Sequence, residues 1–148
     1  MTDFVFTEIV NDPPARVESA ALGVSAAAPF VEADVGKAVK LAALQNYVPV
    51  ATGNDIEGIV NSVEPYTVNA GFSFGGVQRD GRAIVMVGTT QAGALAIGAA
   101  VVADVPVALG TAGYAKVQSG SPVTHVWRVL RHITGTGVTG DLVLIERV

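Results

Sequence analysis

The sequence predicts an all-β protein, a small β-barrel or sandwich of short strands with an extended N-terminal arm. Three observations carry this. The 148 residues are 50% hydrophobic and only 15% charged, and 26 Val, 22 Ala and 17 Gly outweigh an aromatic content of 6%. That mix suits thin β layers built from small side chains rather than a helical bundle, which draws on Leu, Glu and Lys. From residue 33 onward, short apolar runs recur at intervals of about 8–12 residues with turn residues between them. No regular alternation of strand and helix patterns is present, which disfavours a parallel α/β sheet. No internal repeat of fixed period is visible.

Residues 1–32 are assigned to the arm and 33–148 to the barrel domain. Asn11-Asp12-Pro13-Pro14 breaks regular structure. Phe4–Val10 reads as a short strand, because Phe4 and Phe6 alternate with their neighbours. The alanines could support a short helix over 16–22, but the flanking prolines and Gly23 oppose a long one.

Strands are expected over 37–44 and 47–52, the second at an edge because it contains Pro49. Another is expected over 56–63, closed by Pro65, with extended chain resuming over 66–68. Val77–Val87 reads as a hairpin with Asp80-Gly81 at its tip, its second strand (83–87) buried on both faces. Strands follow over 99–103, 105–109 and 114–118. Segment 121–133 is ambiguous. Val126, Val129, Leu130 and Ile133 fit a helical stripe, with Ser121 as cap and Pro122 at the first turn. Its Val, Thr, Ile and Trp content, and the Gly-rich loop and β run after it, favour a strand in a closing hairpin with 141–148.

Composition excludes several functions. The net charge is −4 and the pI about 5.0, against the Lys/Arg surplus that phosphate neutralisation requires; no nucleic-acid partner is expected. There is no Cys, hence no disulfide, thiolate metal site or Cys nucleophile. No secretory leader is read at the N-terminus, since the first basic residue is Arg16 and no apolar run follows. Ala83–Ala103 is long enough to span a membrane, but Thr89-Thr90-Gln91 and three glycines divide it into two strands and a loop. The mean hydropathy of +0.48 is high for a small chain, which buries only about two-thirds of its surface alone. The surplus apolar surface points to an oligomer or partner interface.

No constellation supports catalysis. Gly71-Phe72-Ser73-Phe74-Gly75 has the form of a nucleophile elbow, but that motif needs a strand-to-helix turn and none follows; a serine hydrolase using Ser73 with His125 or His132 is the weakest alternative. Gly135–Gly140 has the form G-x-G-x-x-G, yet a strand rather than a helix follows, so it reads as a hairpin loop. His125 and His132 fall on opposite faces of a strand and do not make a metal pair. Asp55, Glu57 and Glu64 read as a solvated acidic strand end. Arg128, Arg131 and Arg147 could touch an acidic partner surface or be simply exposed. Trp127, the single Trp, reads as a core or interface anchor.

The order of segments carries a resemblance. Val35-Gly36-Lys37-Ala38-Val39-Lys40-Leu41 is followed by Asn54-Asp55-Ile56-Glu57-Gly58-Ile59-Val60. Next come 80–87 (DGRAIVMV), 96–104 (AIGAAVVAD), 113–117 (GYAKV) and finally 140–145 (GDLVLI). Over roughly residues 33–148 this series resembles the capsid decoration, or cement, proteins of tailed bacteriophages. The resemblance implies a structural protein without an enzymatic site, a small β domain that forms a homotrimer on the outer surface of the icosahedral head. There it would stabilise contacts between major capsid protein subunits, after synthesis in the host cytoplasm. Family members often reach neighbouring capsomers with an N-terminal arm, so Phe4, Phe6, Ile9 and Phe30 are the expected partner contacts. No catalytic residue, cofactor, metal or membrane partner is implied. The alternative is a ligand-binding β-barrel module for carbohydrate or tail association, which a content of one Trp and three Tyr serves poorly.

Overall fold

The computed structural model describes residues 17–25, 28–67 and 72–148. The chain is all-β. Its strands are β1 (Val17–Ser25), β2 (Ala28–Pro29), β3 (Ala38–Leu41), β4 (Asn46–Pro49), β5 (Gly58–Thr67), β6 (Ser73–Gln78), β7 (Arg82–Val87), β8 (Ala100–Ala103), β9 (Lys116–Ser119), β10 (Trp127–His132) and β11 (Leu142–Arg147). One turn of 3-10 helix, Glu32–Asp34, precedes β3.

The strands form two closed rings. β1, β4, β3, β5 and β6 are hydrogen-bonded in that order, the β1–β6 pairing closes the sheet on itself, and β2 hangs on β1. β7, β9, β8, β10 and β11 close a second barrel. The two have the same connectivity. In each, the first strand runs parallel to the third and every other pairing is antiparallel.

The match extends to single hydrogen bonds. Gly36 N–H donates to Val60 O and Gly98 N–H to Val129 O, both at 2.7 Å. Val60 N–H returns to Lys37 O at 2.9 Å, and Val129 N–H to Ala99 O at 3.0 Å. Both glycines have positive φ, 94° and 86°, a region costly for other residues. A bulge interrupts the β5–β6 ladder between Val60 and Ser62, and one interrupts β10–β11 between Val129 and Arg131. The chain is therefore a tandem duplication of one five-stranded barrel. Its period is not fixed, since Val39 and Val101 lie 62 residues apart while Tyr47 and Val117 lie 70 apart. Differences in loop length hide the repeat from a search along the sequence.

The cores correspond as well. Ala20, Leu22, Val39, Tyr47, Val60 and Val77 of the first barrel occupy the positions of Val85, Val87, Val101, Val117, Val129 and Ile145 of the second, and all are buried. Volume is exchanged within the set. The first barrel holds the larger Tyr47 and Leu22 and places Gly75 where the second has Val143. A Cβ at Gly75 would collide with the carbonyl oxygen of Ser62 and lie 3.0 Å from Leu22 Cδ1. We expect Gly75→Ala to destabilise the protein by about 1–3 kcal/mol, the usual cost of overpacking, measured as a lower urea midpoint. An unchanged midpoint would show that the β5 bulge yields freely.

Several sequence expectations are corrected. Val17–Ser25 is neither arm nor helix but an inner strand flanked by β4 and β6, so residues from Val17 belong to the first barrel. The strand expected over Phe4–Val10 lies outside the described residues. β6 and β7 do not pair. Asp80-Gly81 turns the chain from one barrel into the other, because β6 finds its partners in β1 and β5, and β7 in β9 and β11. Ile84 on β7 is exposed, since only the inward face of a barrel strand is covered. β4 is not an edge strand. Its ladder with β1 ends at Tyr47, two residues before Pro49, so the missing N–H breaks no pairing on that side. β5 continues across Pro65 to Thr67. Residues 105–109 form no strand. Segment 121–133 resolves to strand β10, and 83–103 to two strands and a loop, as the sequence indicates. No helix among the described residues is long and apolar enough to cross a membrane.

Candidate functional site

The joint between the barrels is where most of the chain's chemistry-bearing side chains converge. Val50, Ile56 and Ile59 of the first barrel belong to the same buried cluster as the core of the second. Gly53 N–H donates to Ala103 O at 2.8 Å and Ala103 N–H to Asn54 O at 3.0 Å, so backbone bonds cross the joint. Trp127 is fully buried and its indole Nε1–H donates to Ile56 O at 3.0 Å. The Arg147 guanidinium stands 5.8 Å from the Trp127 ring centroid, a cation–π distance. It donates to Arg79 O at 3.2 Å, and its Nη2 lies 2.8 Å from His125 Nδ1. Burial, then the nearby Arg79 charge, holds Arg147 below the ordinary guanidinium value.

A second lock lies beside it. Asp34 and Lys37 are both buried and paired. Lys37 Nζ also donates to Thr111 O at 2.9 Å, and Asp34 accepts N–H from Gly110 at 2.7 Å and from Val31 at 2.8 Å. The loop between β8 and β9 thereby clasps the start of β3.

Most of the candidate residues among those described are engaged in holding the fold. Ser73 is buried within β6 and its hydroxyl donates to Phe30 O; it is a strand residue, not a nucleophile on an exposed turn. Gly135–Gly140 is the β10–β11 loop, closed by Asp141, whose Oδ2 accepts N–H from Thr136, Gly137 and Val138. His132 Nε2 lies 2.7 Å from Leu95 O. Glu57 pairs with Arg79 at 3.0 Å and accepts Leu41 N–H, while Glu64 is exposed and apart from it. Asp55 accepts N–H from Val123, Thr124 and His125 across the joint. No group of three His, Asp or Glu able to hold a metal occurs among the described residues. Phe30 is 1% exposed in the first barrel's core, so its ring has no free surface for a partner. Phe4, Phe6 and Ile9 lie outside the described residues.

Three surface grooves carry exposed apolar side chains. One groove of about 440 Å³ runs between the barrels and is lined by Val35, Ile84, Ala112 and Tyr114. A second, of about 420 Å³, lies on the second barrel with Ile97, Leu130 and Val148 beside Arg128 and Glu146. A third, of about 520 Å³, lies on the first barrel with Leu41, Leu44 and Phe74 beside Glu18. Leu44 is 77% exposed, Val148 75% and Ile97 63%. Exposed apolar side chains gathered in a groove can serve as a contact surface.

Comparisons with protein-family models, curated proteins and solved structures find no match. The site is therefore described by its own chemistry: two barrels locked by buried polar groups, with shallow apolar grooves around them. Sequence reasoning missed the Asp34–Lys37 lock. Its only signal was an acid and a base three residues apart in a chain of few charges.

Asp55 makes the joint sensitive to acid. Burial pushes its carboxyl up, but the N–H groups of His125, Thr124 and Val123 outweigh that and hold the pKa below the ordinary value. A depressed folded-state pKa contributes stability above the unfolded value near 3.9, lost as pH falls through the folded one. We expect Asp55→Asn to flatten the loss of stability below about pH 4, measured by thermal unfolding from pH 3 to 7. An unaltered acid limb would remove Asp55 from the account.

Proposed function

We propose that this chain is a capsid decoration protein, a homotrimer that binds the outer surface of an icosahedral phage head and stabilises contacts between major capsid protein subunits. The observation that carries the reading is the set of surface grooves with exposed Ile97, Leu130, Val148, Leu41, Leu44 and Phe74. The ordered series of segments that resembles the cement proteins supplies the partner. An acidic protein on the outside of a shell has no need to meet packaged nucleic acid, which agrees with the charge balance. Many modest contacts repeated by symmetry resist outward strain through avidity. β1 is an inner strand, so a clamp by an arm would fall to residues before Val17, and the grooves carry the docking described here.

The test is sedimentation of the full-length chain with expanded heads assembled from a phage major capsid protein. Retention on expanded heads, with a higher temperature of head disruption, is the expected result. Recovery of the chain entirely in the supernatant at micromolar concentration would overturn the reading.

A further inference from the structure

The duplicated barrel predicts how copies of the chain meet. Within one chain, the segment leading into β3 is covered by the second barrel. Lys37 and Asp34 are bonded to Thr111 and Gly110 of the β8–β9 loop, and Val35 and Gly36 share a groove with Ile84 of β7 and Tyr114. The rule of this contact is that the start of one barrel's second strand receives the other barrel's second-to-third-strand loop, with that barrel's first strand lining the same groove.

Both halves of the rule have an unused equivalent. The segment leading into β8 is equivalent to that leading into β3, with Ile97-Gly98 in place of Val35-Gly36. Asp34, at the first of these segments, is buried under the β8–β9 loop, whereas Ala96 and Ile97, at the second, are exposed. Ile97 stands exposed in a groove with Leu130 and Val148. In the first barrel, the loop equivalent to 104–115 is 42–45 and the strand equivalent to β7 is β1. This face carries Leu44 at its tip, with Leu41 and Phe74 beside it. The first groove is lined by Arg128, Arg147 and Glu146, the second by Glu18. Where the internal joint has Asp34 and Lys37, the open one has Ala96 and Ala99, so the contact it invites is apolar.

We propose that the Ile97–Leu130–Val148 groove of one chain receives the Leu44 turn and adjoining β1 face of a second copy. The contact joins unlike faces, so it repeats head to tail and either closes into a ring or runs on as a filament. A closed trimer would alternate the two barrel types around the ring. This inference stands on the internal repeat and not on the capsid reading: an oligomer that forms without the mixed disulfide sinks this contact alone, and an oligomer that gives it but is not retained on heads sinks the capsid reading alone.

Because the chain has no Cys, introduced thiols report cleanly. Full-length Leu44→Cys and Ile97→Cys proteins, one carrying a mass tag, are mixed and oxidised under mild conditions. The mixed disulfide is expected to exceed either homodimer at least tenfold, and the double variant to give covalent oligomers larger than a dimer. Homodimers forming as readily as the mixed species would overturn the proposal, as would a native chain that stays monomeric at all concentrations or oligomerises without giving the mixed disulfide. Leu44→Asp, at a position already exposed in the chain, is expected to weaken self-association at least tenfold with unchanged thermal unfolding of the monomer. Undiminished association would equally sink the contact.

Discussion

Replacing Trp127 with alanine is expected to be the most damaging single change, costing about 3–5 kcal/mol, the range for removing a buried aromatic. Three losses coincide. The side chain is fully buried at the end of the second barrel that meets the joint, so its removal leaves a cavity that two closed barrels cannot easily collapse. The carbonyl of Ile56 loses its indole donor and is left buried without that partner. Arg147 loses the ring face it stacks on. Against a typical total of about 5–15 kcal/mol, that is a large share of what holds the chain together. Trp127→Phe keeps most of the volume and is expected to cost much less, chiefly the hydrogen bond at about 1 kcal/mol. Urea unfolding of both variants separates the contributions. A loss below about 1 kcal/mol for the alanine variant would show that the joint is not built on this residue.

Asp34→Ala is expected to follow closely, at about 3–5 kcal/mol, the cost of stripping one partner from a buried ion pair. Lys37 would be left charged, 3% exposed, with Thr111 O as its remaining partner. The N–H groups of Gly110 and Val31 would lose their acceptor as well. The double variant Asp34→Asn/Lys37→Met removes both charges, and the single Asn carbonyl oxygen can still accept one of the two N–H groups, which bond different Asp34 oxygens. It is expected to recover most of the loss, because a buried pair exchanged for neutral groups of similar size is often close to neutral overall. Equal damage in the double variant would mean that the ion pair itself, not the satisfaction of the buried groups, holds the β8–β9 loop to the first barrel.

These two changes address different parts of one joint, and the sequence exposed them unequally. Trp127 announced itself as a lone large aromatic in a Val- and Ala-rich chain, and an anchoring role follows from that scarcity. Asp34 and Lys37 looked like ordinary surface charges. Only the packing of a loop some 75 residues away withdraws them from water. Phe30 failed in the opposite direction. An apolar residue after Pro29 in an apparently irregular stretch reads equally well as a docking residue or as core, and the fold places it in the core. For Ser73 the expectation of a Gly-rich loop is corrected, since the residue opens strand β6.

The Asp80-Gly81 turn shows where local chemistry stops. A turn signal between two apolar runs states that the chain reverses, but not that the runs pair with each other. β6 and β7 leave the turn into separate barrels, because each buries more apolar surface against its own ring. The helical stripe in 121–133 has a related origin. The bulge between Val129 and Arg131 breaks the strict alternation of a strand and leaves a spacing that imitates a helix.

The sequence by itself determined that the chain is β throughout, where most strands and turns fall, and that its apolar content exceeds what a small body hides. Each of these is a property of neighbours along the chain, set by side-chain alternation, turn residues and composition. Strand partners, the duplication of the barrel and the identity of the outward apolar residues were decided only by the tertiary structure. They depend on which distant segments share a core, and a repeat whose offset changes from 62 residues at Val39 and Val101 to 70 at Tyr47 and Val117 leaves no periodic trace in the sequence.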